Sequence, residues 1–260
     1  MKKTLISLAV AASAVVSGSA MAWQANGRGG TVELSGTLTP VDLKTPWEVK
    51  MGTAVSGLDA QIKKGHKEVV IPVNHPIPVL AIRTQTKEPF HGDAQFAPQI
   101  DFHGALDINN FFGSAVVPAA LDVKNQGGKK IGVMDFNMLA VGVSSYKTPD
   151  QGGANTVMIA PNAGDGFYGG LGKSLEKADG LIPRIQNIFG SELAANYTDQ
   201  GTASRAPARE TFDDKNATFS GYYGAGIEAG QSIKLVLDRE AAGNEPIKWH
   251  ASLPVTVSYP

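Results

Sequence analysis

Apolar residues in this chain fall in short alternating runs, and almost every run is closed by glycine, proline or an Asn/Asp cluster. Trp47-Glu48-Val49-Lys50-Met51 alternates and stops at Gly52. Val69-Val70-Ile71-Pro72-Val73 is a brief β-branched run. Pro76 and Pro78 push the next piece to a sheet edge, because proline cannot donate to a ladder. Val79-Leu80-Ala81-Ile82-Arg83 is apolar enough for a central strand. Gln99-Ile100-Asp101-Phe102 alternates again. Residues 116–123 and 130–138 flank Asn125-Gln126-Gly127-Gly128, which predicts a hairpin. Residues 232–237 and 253–259 supply two more strands. With 30 Gly and 15 Pro in 260 residues, this pattern predicts an all-β sandwich and not a helical bundle.

One region departs from the β rhythm. Leu171, Leu175 and Ala178 recur at helical spacing, as do Leu181, Ile185, Ile188 and Phe189. Asp179 is placed to cap, Gly190 to stop, and Pro183 is tolerable in a first turn. Two short helices inside a β chain predict a surface-exposed insert at about residues 147–208.

The two ends carry further information. Lys2 and Lys3, an apolar stretch from Leu5 to Val16 and the closing Ala20-Met21-Ala22 form a cleavable secretory leader, residues 1–22. Trp23 then begins the exported chain, and no later stretch is long and apolar enough to cross a bilayer. Residues 31–39 read as a strand with Val32, Leu34 and Leu38 on one face and Gly36 in the remaining slot. Gly27, Gly29 and Gly30 precede it and Pro40 follows, so the strand sits on a tether and points to pairing across chains. At the other end Val255, Val257 and Tyr259 share a face. That strand is either an ordinary terminal strand or an edge open to β-augmentation.

Several function classes find little support. Charge is balanced, 23 Lys and Arg against 24 Asp and Glu, so nothing argues for nucleic acid as a partner. No cysteine is present, which removes thiol catalysis, zinc–thiolate sites and disulfides together. Gly169-Gly170-Leu171-Gly172-Lys173-Ser174 lacks the glycine a phosphate loop requires, since Phe167 holds that position. The 5 histidines, His66, His75, His91, His103 and His250, form no metal-ligand spacing. Asp213 and Asp214, near Glu210, could be paired carboxylates, but neighbours on a strand point to opposite faces. No catalytic residue, metal site or cofactor is expected.

The chain resembles the K88 (F4), F41 and CS31A-type fimbrial subunits of enteric bacteria. The resemblance is carried by the leader through Trp23, by Val32-Glu33-Leu34-Ser35-Gly36-Thr37-Leu38-Thr39 and by Trp47-Glu48-Val49-Lys50-Met51-Gly52-Thr53. It continues through Arg83-Thr84, Pro98-Gln99-Ile100, residues 224–231 and residues 249–259, in that order. It is weak over residues 144–217, where the insert lies.

The resemblance implies an immunoglobulin-like sandwich lacking its final strand, residues 42–260, preceded by a donor-strand extension, residues 23–41. It implies a structural subunit of a surface fimbria, exported through the periplasm and polymerised by donor-strand complementation. A periplasmic chaperone would pair beside Val255, Val257 and Tyr259, an outer-membrane usher would follow, and Val32, Leu34, Gly36 and Leu38 of another subunit would then fill the groove. It further implies adhesion to a host glycoconjugate through the insert, with Phe167, Tyr168 and Lys173 as exposed candidates. The alternatives are a minor or tip subunit of the same fimbria, and a secreted β-sandwich enzyme acting on glycans.

Overall fold

The computed structural model describes residues 33–39, 44–150, 152–178 and 182–260. The chain divides into two units, Met1–Leu43 and Lys44–Pro260. In the first, residues 33–39 lie in neither helix nor strand. The leader, Val32 and Pro40 fall outside the described residues, as do Asp179 and Leu181.

The second unit is built from strands β1 (Trp47–Met51), β2 (Glu68–Pro72), β3 (Ile77–Thr84), β4 (Phe90–His91), β5 (Gln99–Asp101), β6 (Val116–Asn125), β7 (Lys130–Thr148) and β8 (Gly152–Val157). A 3₁₀ turn (Leu175–Lys177), helix α1 (Ile182–Phe189) and a second 3₁₀ turn (Ser191–Ala194) follow. The chain closes with β9 (Ala203–Ser204), β10 (Thr218–Ile227), β11 (Ser232–Leu237), β12 (Trp249–His250) and β13 (Thr256–Ser258).

Strand β7 organises the sandwich. Its first half lies between β6 and β11, and β2 pairs with the far side of β11. Its second half lies between β10 and β8, and β10 leads on to β3 and β1. The exchange of neighbours occurs at Leu139, which faces Val116 on one side and Gly226 on the other. One long strand thus serves both layers. The β6–β7 hairpin forms as the sequence predicts: Asn125 Oδ1 accepts from the Gly127 and Lys129 amides at 3.0 Å, and Gly128 takes φ +79°.

Burial along β7 records this change. Gly132, Met134, Phe136 and Met138 are buried in alternation, whereas residues 138–145 are buried without a break. Even positions such as Met138 and Ala140 join the main core; Leu139, Val141 and Val143 join a second core with Ala81 and Tyr222. That second core is covered by Ile185, Ile188 and Leu193 of the insert. The helical insert is therefore not wholly surface-exposed, and its apolar stripe makes the sheet beneath it two-sided.

Local outcomes differ from the sequence pattern in three places. The spacing of Leu171, Leu175 and Ala178 yields only the 3₁₀ turn, because the segment bonds outward: Ala160 N donates to Gly172 O at 3.0 Å and Ala115 N to Lys177 O at 3.1 Å. Pro78 lies inside β3, at the end that extends past the last β1 partner and where the β10 register shifts. The C-terminal strand is confined to Thr256–Ser258. Gly190 ends α1 with φ +76°, as its position predicts.

Candidate functional site

The main core ends in an open apolar cleft of about 1340 Å³. Its floor is made by Ile71 of β2, Phe136 of β7, Ile227 of β10 and Ile233 and Leu235 of β11. Those of β2, β7 and β11 point inward because each lies on the buried parity of its strand, while β10 is buried on both faces. The volume exceeds the roughly 300–1,000 Å³ of small-molecule sites, so a segment of polypeptide suits it better than a metabolite.

Two stretches border the cleft. Residues 52–62 run along one side, and the chain from residue 241 to 253 lines the other. Among the described residues, neither 53–62 nor 251–255 makes a backbone–backbone hydrogen bond. Residues 251–260 nevertheless alternate strictly between half-buried and exposed. Ala251, Leu253, Val255, Val257 and Tyr259 pack on the main core. Beyond the cleft, β13 pairs with β5, and His103 Nε2 lies 2.8 Å from Thr256 Oγ1. Burial raises the Tyr259 pKa, with a hydrogen bond to Thr45 acting in the opposite sense. Backbone without backbone partners beside an apolar floor is an edge that another strand can complete.

The N-terminal candidates have the opposite character. Leu34 is 93% exposed and Leu38 97% exposed, and a Cβ on Gly36 would meet no atom within 4 Å.

The three insert candidates do not form an exposed platform. Phe167 is 0% exposed. Its ring stacks on Tyr223 at 5.4 Å and meets Trp47 and Phe212 edge-on at 5.5 and 6.0 Å. The expectation that Phe167 is exposed is overturned: with φ +61° it turns its ring inward, and the Phe167 amide is fixed to Pro98 O at 2.7 Å. Tyr168 is half-buried against the same core, and Lys173 Nζ reaches Asn109 Oδ1 at 2.6 Å. The glycine run holds no anion cradle; a Cβ on Gly169 would stand 1.9 Å from Ile100 O, so its glycine serves close packing against β5.

The carboxylates are each tied into their own loop. Asp213 accepts from Thr211 Oγ1 at 2.7 Å, and Asp214 from the Asn216 amide at 2.9 Å. Burial raises the Glu210 pKa, and the Thr211 and Phe212 amides pull it down. No group of three His, Cys, Asp or Glu side chains gathers for a metal among the described residues.

A second, smaller cavity of about 250 Å³ was not visible in the sequence. It lies where β1 and β3 meet the end of α1, between Phe189, Val49 and two ion pairs. Those pairs are Lys50 with Glu192 and Arg83 with Glu48, each at 2.5 Å.

A family model described as "Fimbrial, major and minor subunit" matches residues 1–260. This chain is a member of the K88 fimbrial subunit family. Among curated relatives, it is 30% identical to K88 fimbrial protein AD of Escherichia coli, over all of both chains. It is similar at 26% identity, again over all of both chains, to the F41 fimbrial protein and to the K88 minor fimbrial subunit FaeI, both of Escherichia coli. These K88-family relatives are named as fimbrial subunits, which places a structural role ahead of glycan hydrolysis for the loop carboxylates. The sandwich with its small helical insert agrees with the fold expected from the sequence.

Proposed function

We propose that this chain is a polymerising structural subunit of a bacterial surface fimbria, joined to its neighbours by donor-strand complementation. Val32, Leu34 and Leu38 of one subunit enter the apolar cleft of the next, with Gly36 at the tight point of the register. The observation that carries this reading is the cleft of about 1340 Å³, one border of which, residues 53–62, makes no backbone–backbone hydrogen bond among the described residues, while the other is without one from residue 251 to 255. Burying each Val or Leu there contributes roughly 1.5–3 kcal/mol, to which a new backbone ladder adds.

Before assembly the same edge would be covered by a periplasmic chaperone pairing beside Val255, Val257 and Tyr259, with delivery to an outer-membrane usher. Membership of a family of major and minor subunits supports assembly with related chains. The major-subunit role is preferred to a minor or tip position, and the family model spans both kinds of subunit.

Deleting residues 31–39 tests the polymer joint. Folded, chaperone-bound subunit without fibres is expected on electron microscopy of surface extracts. Fibres of normal yield from the deleted chain would remove the joint from residues 31–39.

Adhesion to host glycoconjugates is a second role, favoured by the cavity of about 250 Å³ beside Phe189. An apolar ring beside charged donors and acceptors suits one sugar unit, and Tyr168 and Lys173 remain flanking candidates. Substituting Arg83 by Ala would abolish glycan-array binding by intact fibres if this cavity holds the sugar.

A further inference from the structure

Residues 56–65 carry the local signals of a short helix and fold as something else. Ser56 and Asp59 have the spacing of a capping box, and Leu58 and Ile62 are four apart. Lys63 and Lys64 fall in the last turn, and Gly65 stands at the stop with φ +79°. Yet residues 53–62 are in neither helix nor turn, and only His66 N to Lys63 O, at 3.0 Å, closes a turn at the end. Gly57 takes φ +78°, a conformation no helix contains. Leu58 and Ile62 are half-buried against the main core at the border of the cleft.

A spacing of four satisfies both periods. It puts Leu58 and Ile62 on one face of a helix and equally on one face of a strand. In the extended form the segment leaves a row of backbone donors and acceptors without protein partners, which an inserted strand would pair. In the helical form the same groups would bond locally. Conflict between local preference and observed conformation is expected at functional or strained segments.

We propose that residues 56–65 are a helix-to-extended switch coupled to filling of the cleft. This rests on the donor-strand reading of that cleft. With no strand paired to it the segment exchanges between the observed extended form and a capped helix; an entering strand selects the extended form by pairing with its backbone. Strand entry is thereby slowed in proportion to the helical fraction of this segment, which disfavours premature or foreign insertion.

Hydrogen exchange on the purified mature chain, with and without a synthetic peptide of residues 31–39, tests this. Amides of residues 53–62 are expected to become protected on peptide uptake, together with those of 251–255. Ala60→Gly weakens the helix and should speed uptake about fivefold. Gly57→Ala favours the helix and strains the extended form, and should slow uptake at least about fivefold. Protection of 251–255 with residues 53–62 still exchanging freely, or variants that leave the rate unchanged, would overturn the switch while leaving the joint intact. Absence of any protection in both stretches would overturn the joint and the switch together.

Discussion

Ile185 of α1 sits so close to Gly224 of β10 that a Cβ at position 224 would stand 2.7 Å from Ile185 Cγ1. Gly226, two residues on and facing the same way, would meet Ile188 Cγ2 at 2.9 Å. The insert is therefore seated on bare backbone. Gly224→Val is expected to destabilise the subunit by about 1–3 kcal/mol through overpacking, and Gly224→Ala by less. Urea midpoints of the two variants check the order; equal and unchanged midpoints would mean that the helix does not rest there.

Phe167 belongs to the core that joins the insert to both layers. Phe167→Ala should cost roughly 3–5 kcal/mol, the range for a large aromatic removed from a packed interior. Lys173→Ala should stay within about 0.5 kcal/mol, since its partner Asn109 is exposed. Denaturation curves separate the two, and a surface role for Phe167 would appear as a near-neutral change.

Arg184 and Glu228 hold α1 to the end of β10 by paired contacts, with Arg184 Nε donating to Glu228 Oε1 at 2.6 Å. Both side chains are half-buried. Arg184→Met should cost about 1–3 kcal/mol by leaving a half-buried carboxylate short of its donor. Arg184→Met combined with Glu228→Leu should recover part of that loss. A double variant no better than the single one would contradict the pairing.

Alkaline pH should weaken the fold through its tyrosines. Burial holds Tyr197 up at about 12 and raises Tyr222 and Tyr223 as well. A phenol raised in the folded state and near 10 when unfolded contributes stability that is complete below about pH 10. That contribution is lost as pH rises through about 12 for Tyr197. Stability measured by urea should be flat to about pH 10 and fall beyond it, and Tyr222→Phe should soften the fall. A fall that begins well below pH 10 would place its origin in other groups.

Much of the sandwich was legible in the sequence because its strands are bounded by turn chemistry. The strand at 232–237 and the Asn125-Gly127-Gly128 hairpin formed where local residues demand them. What escaped was set by distant partners. Period alone could not tell that β7 continues from residue 138 to 148, because residues 138–145 are buried on both faces. The helix expected across Leu171 and Leu175 lost to long-range backbone bonds at Gly172 and Lys177. Phe167 looked exposed among glycines, and only the positive φ that turns its ring inward removes that reading. In the candidate site, the apolar parity of Val255, Val257 and Tyr259 was visible in the sequence. The opposing border at residues 53–62 was not, because its local pattern spells a helix.

The proposed joint between subunits is tested most directly by replacing Leu34 and Leu38 together with aspartate in the full chain, co-produced with a chaperone and usher. Fibres joined by strand exchange would run as a heat-dissociable ladder on a denaturing gel. Strand exchange predicts that the double variant accumulates as folded monomer and the ladder disappears, since two buried leucines would become two buried charges. A ladder of undiminished length and heat resistance would contradict it.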